Sequence, residues 1–290
     1  MKEINTTWPQ GRTPWKVQDF DSPAEMLAYA ETRSLQFGLL SSRRDGPGGT
    51  GGVDWNGTVA LVRRGWPEGA ARVRKLADAL YERIKPTAPT WMQAAHDVTG
   101  AFVDVGVYVT GQPECMMQFV ETEAPNPKPV NLVVSCSCSG GTGGDVIVNR
   151  GAAILAAAEA LEQRGCCVSI DVENTTTRDG LYLTLRTRLK RPGEPMDTDA
   201  LAFALMHPAF LRRLVWAAKE SLEDRWARVW ALDGCYGAPT DYPADHCEDG
   251  TIYFGPVRFD NRYRFATQES AVQVALEIMG RAGVRVDADA

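Results

Sequence analysis

Val130-Asn131-Leu132-Val133-Val134-Ser135-Cys136-Ser137-Cys138-Ser139-Gly140-Gly141 carries an apolar strand into a loop of alternating hydroxyls and thiols, then into glycines. Ligands of open α/β folds bind beyond the carboxyl ends of the strands, so this loop is the first place to expect a site. Downstream, the spacing predicts a helix over about 147–164 with Gly151, Ile154, Leu155, Ala158 and Leu161 on its apolar stripe and Gly165 as its stop. A strand over 166–172 follows, and strand–helix–strand order implies a parallel pair with a right-handed crossover. Leu181, Leu183, Leu185 and Leu189 then alternate along a strand at 181–189. The short connection through 174–180 makes that strand antiparallel to its predecessor.

Elsewhere, Ser22-Pro23-Ala24-Glu25 is a capping box that opens a helix over 23–32. Helical spacing also covers 67–84, 199–206, 208–225 and 268–282, with a break at His207-Pro208. Residues 41–52 read as a flexible loop. Residues 102–109 and 115–121 read as the strands of a hairpin, and 229–232 and 284–286 as short strands. Three prolines in Glu123–Pro129 mark a boundary, dividing an N-terminal helical and hairpin region, 1–125, from an α/β core, 126–290. The expected fold class is α/β: a mixed, mainly parallel sheet with flanking helices, plus an N-terminal α+β region.

At 290 residues and 44% hydrophobic, the chain can bury a substantial core. Its longest apolar run is too short to span a bilayer, and its first residues lack the apolar stretch of a secretory signal. Seven cysteines without a CxxC pair fit a reduced, cytoplasmic chain. A net charge of −6 argues against a protein that simply coats DNA, though a local basic face is compatible with it.

The chain offers no catalytic constellation. HExxH, GxSxG and Gly-Lys-Ser/Thr are all absent, and Asp145 and Val146 break the phosphate-binding pattern that Gly140, Gly141, Gly143 and Gly144 suggest. Asp245-His246-Cys247-Glu248-Asp249 reads as a solvated acidic loop, and Cys136 and Cys138 lack a visible base. A non-enzymatic protein is expected. Charge is more informative: residues 178–228 hold ten Lys/Arg against seven Asp/Glu. Opposite the leucines of 181–189 stand Tyr182, Thr184, Arg186, Arg188 and Lys190, with Arg191, Arg212 and Arg213 further on. Such a stripe suits single-stranded nucleic acid, phosphates on the cations and a base on the ring. The competing reading is a solvated strand edge guarded by charge.

The element order around Ser135–Ser139 resembles the von Willebrand factor A-like fold, whose first strand ends in Asp-x-Ser-x-Ser and whose later strand ends in a second aspartate. That resemblance implies a divalent-cation site, weak Mg2+ at most, at Ser137, Ser139 and Asp233, with Ser135 standing where the leading carboxylate belongs. It also implies a protein-interaction module. Trp55-Asn56-Gly57, Gly65-Trp66-Pro67-Glu68-Gly69, Asn149-Arg150-Gly151-Ala152-Ala153 and residues 207–214 resemble an uncharacterised family of phages and their hosts. A fainter similarity is to phage single-stranded-DNA-binding cofactors of RNA polymerase. The combined expectation is a cytoplasmic, phage-type protein that binds single-stranded nucleic acid in support of transcription or replication. Its partners would include RNA polymerase or another protein, with oligomer formation open and no membrane.

Overall fold

Alternation along 130–190 builds the centre of the sheet, and segments far away in sequence extend it. The computed structural model describes residues 2–7, 13–32, 49–81, 83–85, 90–123, 129–222, 226, 236–243, 246–281 and 284–286. The chain divides into two compact units, Met1–Lys85 with Pro129–Ala290, and Pro86–Lys128.

The first unit begins with β1 (Lys2–Thr7) and β2 (Pro14–Phe20), then α1 (Pro23–Thr32), α2 (Trp55–Arg64), α3 (Pro67–Tyr81) and β3 (Ile84–Lys85). The second holds β4 (Thr90–Asp97), β5 (Phe102–Val103), α4 (Val105–Tyr108) and β6 (Met116–Glu123). The first then resumes with β7 (Val130–Ser135), α5 (Gly144–Gln163), β8 (Val168–Arg178), β9 (Leu181–Lys190) and α6 (Thr198–Met206). A π-helical turn, Phe210–Val215, leads into α7 (Trp216–Glu220), followed by β10 (Ala238–Pro239) and β11 (Ile252–Phe254). A 3-10 turn, Arg262–Phe265, α8 (Gln268–Arg281) and β12 (Arg285–Val286) complete the described elements.

The main sheet runs β1-β2-β9-β8-β7-β11, with β10 on β8. Along this path β2–β9, β8–β7 and β7–β11 are parallel, while β1–β2 and β9–β8 are antiparallel. The fold is therefore α/β with a mixed, mostly parallel sheet flanked by helices. The expected division at 125/126 is corrected at its first half: residues 1–85 belong with the α/β unit, because β2 pairs with β9 and extends the same sheet. The backbone bonds of a buried strand need a partner wherever the chain supplies one, and here it comes from the N-terminus.

Local chemistry explains most boundaries. The Glu25 amide donates to Ser22 Oγ at 3.1 Å, opening α1. Asp54 and Asp197 cap α2 and α6 by accepting from the Gly57 and Ala200 amides at 2.6 and 3.0 Å. Asp179 and Gly180, both at positive φ, close the β8–β9 hairpin in two residues, so β8 runs to Arg178 through what spacing marked as a turn. In the smaller unit, Asp104 accepts from the Val107 amide and starts α4, which cuts the expected strand over 102–109 to two residues. The long partner of β6 is β4 instead. None of this unit's described residues is buried, and Met92, Phe102, Val105, Tyr108, Val109 and Phe119 are exposed.

Leu132, Val134, Ile170, Val172, Leu183 and Leu185 join the helices in one core cluster, while Trp15 and Val17 pack with Tyr242 in a second, smaller one. At the heart of the large cluster is α5, packed against α3, α6 and α8, with residues 149–158 all buried. Close helix contact needs a residue without a side chain at the crossing: a Cβ on Gly151 would lie 2.1 Å from the Leu205 carbonyl oxygen of α6. The obstacle is backbone and cannot swing aside. Gly151→Ala is expected to lower the unfolding free energy by about 3 kcal/mol, at the upper end of overpacking costs, measured by urea denaturation.

Candidate functional site

Beyond Ser135 the chain leaves the sheet as a loop that is tied down rather than free. The Cys136 amide donates to the Glu173 carbonyl at 2.7 Å, the Ser139 amide to the Val257 carbonyl at 2.8 Å, the Val257 amide to the Ser137 carbonyl at 3.0 Å, and Thr142 Oγ1 to the Ser139 carbonyl. Ser137 Oγ donates to the Thr175 carbonyl at 3.1 Å and accepts from Asn174 Nδ2 at 2.9 Å. The loop then enters α5 through Gly143, which provides no side-chain cap.

A cavity of about 550 Å3 opens over this loop, between the carboxyl ends of β7 and β8, the π-helical turn and α7. Its walls include Ser139, Gly140, Gly141, Thr142, Asn174 and Thr176 on the sheet side and Leu211, Arg212, Trp216, Lys219 and Tyr236 opposite. Among the described residues no carboxylate lines it, and the charged side chains in its walls are Arg212 and Lys219. Arg212 is held by backbone carbonyls, Nη1 on Gly49 and Nη2 on Thr142 at 2.5 Å, which orient the guanidinium without neutralising it. Lys219 is fully buried, with Nζ donating to Thr176 Oγ1 at 2.8 Å and the Tyr236 carbonyl at 3.0 Å. Trp216 stacks on Tyr236 with ring centroids 4.1 Å apart and planes within 5°. Departures from α-helical winding such as this π turn occur often at functional sites.

The predicted basic residues are not brought together. β9 lies inside the sheet, between β2 and β8, so its cations meet carboxylates on the neighbouring strands. Arg186 forms a two-pronged ion pair with Asp19 at 3.0 and 3.2 Å, and Arg188 lies 3.6 Å from Asp171. Both line a separate cavity of about 370 Å3 in which Lys2, Arg186 and Arg188 face Asp19, Asp21 and Asp171. Tyr182 is half-buried against the Trp15–Val17–Tyr242 cluster. A register shift near Ile170/Asp171 breaks the alternation and buries Lys190, whose Nζ donates to Glu162 of α5 and the Val168 carbonyl, both at 2.8 Å. Arg191 pairs with Glu194 and Asp21, and Arg213 is buried, donating to the Val53 carbonyl. Of the predicted set, Arg212 alone lines the larger cavity. Sequence reasoning missed Asn174, Lys219 and Tyr236; only the helical spacing of 212, 216 and 219 pointed to a shared face.

Ser137 and Ser139 are buried at the expected strand end, and Asp233 lies outside the described residues. Among the described residues, no group of three His, Cys, Asp or Glu is placed to hold a metal ion. On the side of β7 away from β8 the parallel neighbour is β11, which ends at Phe254 just before Gly255; the expected strand at 229–232 lies outside the described residues. Ser135 bonds instead to Glu173, its cross-strand partner, a fully buried carboxylate that also accepts from Thr175 Oγ1 and from Tyr253 Oη at 3.0 Å. Burial pushes the Glu173 carboxyl above its ordinary range. Burial likewise pushes both loop thiols up, Cys136 most, with Arg212 opposing the shift at Cys138, so neither supplies a thiolate nucleophile at neutral pH.

No helix among the described residues is long and apolar enough to cross a membrane. Residues 9–281 match the family described as a domain of unknown function, DUF7192, and the chain belongs to that family. No curated protein and no solved structure matches it.

Two outcomes follow from this electrostatics. Ser135→Asp places a second buried carboxyl against Glu173, so one of the two must stay protonated. Its unfolding free energy at pH 7 is expected to drop by about 2–4 kcal/mol, with partial recovery towards pH 5, in urea titrations at the two pH values. His207, whose Nδ1 accepts from the Ala209 amide at 3.1 Å, is held down to about 4 by burial. A depressed histidine contributes stability above pH 6.5 that is lost as pH falls towards 4. The gap between wild type and His207→Gln should shrink across that window by at most about 3 kcal/mol.

Proposed function

We propose that this protein is a non-enzymatic binder of single-stranded nucleic acid, acting in support of transcription or replication, and that it engages its ligand at the cavity above Ser139–Thr142. The observation that carries this reading is charge: in a chain of net charge −6, the cavity wall holds Arg212, oriented by backbone carbonyls, and among the described residues no carboxylate. Phosphates supply the matching anions, and the Trp216–Tyr236 stack offers a flat apolar face of the kind on which bases stack. The β9 cations are assigned a structural role, because each already faces a carboxylate.

A second reading, a von Willebrand A-like interaction module, has one observation in its favour. The succession of β7, α5, β8, antiparallel β9 and a further parallel strand beside β7 agrees with the element order on which that resemblance rests. A weak Mg2+ site would then involve Ser137, Ser139 and Asp233, with Ser137 giving up its bond to Asn174 or Thr175.

Fluorescence anisotropy with a labelled single-stranded oligonucleotide, at two salt concentrations, separates the readings. Salt-sensitive binding is expected, weakened about tenfold by Arg212→Ala and little changed by Arg186→Ala with Arg188→Ala. Absence of salt-sensitive binding at micromolar protein would sink the nucleic-acid reading. A rise in melting temperature with millimolar Mg2+ would favour the second.

A further inference from the structure

Phe259 and Tyr263 are 63% and 70% exposed. Among the described residues of the first unit, the one other large apolar side chain set in water is Ile4. Two exposed rings so close in the chain mark a surface that meets a partner. Their turn is not loose. It leaves β11 through Val257, which bonds to Ser137 and Ser139, so it starts one residue from the loop that lines the cavity. Asn261 closes it, with Oδ1 accepting from the Arg258 amide at 2.7 Å and Nδ2 donating to the Pro256 carbonyl at 3.1 Å. The Arg262 amide donates to the Arg258 carbonyl at 2.9 Å, and the far end is fastened by the buried Phe265 ring and by Asn149 of α5. Rings presented on a pinned turn lose little freedom when something binds.

The same turn interleaves Arg258, Arg262 and Arg264 with the rings, against a single carboxylate, Asp260. Arg258 pairs with Asp241 at 2.7 Å and Arg264 with Glu277 at 2.5 Å, both at the surface. Arg262 differs. Among the described residues no carboxylate pairs with it, and its guanidinium lies over Phe259, 5.2 Å from the ring centroid. Cations alternating with open rings match a chain of alternating phosphates and flat bases. An apolar protein surface would cover the rings but bury the Arg262 charge without a counter-ion. Free phosphate would use Arg262 and leave both rings in water. Resting on the nucleic-acid reading, we infer that the turn over 258–265 is a second contact for the single strand. Bases stack on Phe259 and Tyr263, and Arg262 takes a phosphate between them. The strand runs from the cavity across the carboxyl end of the sheet, past Val257.

Fluorescence anisotropy of the full chain with a labelled oligodeoxythymidylate, and with an abasic strand of equal length, tests this. Phe259→Ala with Tyr263→Ala should weaken oligodeoxythymidylate binding at least about tenfold and leave abasic binding unchanged. Arg262→Ala should reduce the slope of log affinity against log salt by about 0.7 on both strands, and Arg262→Lys should restore it. None of the three side chains is buried, so the variants should melt at the wild-type temperature. Wild-type affinity for oligodeoxythymidylate in the folded ring variant would overturn the inference. So would self-association, followed by sedimentation at rising concentration, that the ring substitutions abolish while oligonucleotide binding persists, since the rings would then cover a second copy. The two readings fail separately. Binding weakened by Arg212→Ala but not by the ring substitutions removes the turn and spares the cavity, whereas a wild-type chain that binds neither strand removes the nucleic-acid reading itself.

Discussion

The contact on which the rest of this structure depends is the meeting of α5 and α6 at Gly151. With no side chain there, α6 lies directly against the buried helix behind the sheet, its Leu205 carbonyl where a Cβ would otherwise be. The same approach brings Pro208 to within 3.5 Å of the Cβ position of Gly144, at the start of α5. The π-helical turn that follows is thereby set over the end of β7. Without that approach there would be no opposing wall, and the loop after Ser135 would face solvent instead of a cavity.

The phrases at Gly65–Gly69 and Asn149–Ala153 are packing devices around this contact. The Trp66 amide donates to the Asp199 carbonyl, and its ring meets His207 edge-on at 4.8 Å. A Cβ on Gly65 would strike the Asp199 backbone at 2.4 Å. Asn149 donates to the Phe265 and Ala266 carbonyls, and Arg150 to those of Phe254 and Gly255, so α5 also anchors the C-terminal segments. These residues hold the site's frame and do not line it.

Charge in this protein is decided by neighbours. Arg186 and Lys190 sit in sequence amid other cations but in space beside Asp19 and Glu162, on elements more than twenty residues away. Arg212 has the same formal charge and a different fate, since its partners are carbonyl oxygens. A paired guanidinium offers little to an incoming phosphate, whereas one oriented by neutral acceptors retains its field. That contrast moves the functional reading from β9 to the cavity.

Much of the fold was legible in the chain: strict alternation at 181–189, the apolar stripe of α5, the caps at Ser22 and Gly165, and the hydroxyl-rich loop at the end of a central strand. These signals are local, arising from side-chain periodicity and backbone preference within a few residues. What the sequence left open was pairing across distance. The N-terminal strands joined the sheet at β9, the register shift buried Lys190, and Asp104 turned an expected strand into a helix start. Composition and spacing determined that there is an α/β core with a hydroxyl- and glycine-rich loop after Ser135. Tertiary structure alone decided which cations face carboxylates and that Asn174, Arg212, Trp216 and Lys219 share one cavity, because burial and ion pairing depend on contacts between residues far apart in the chain.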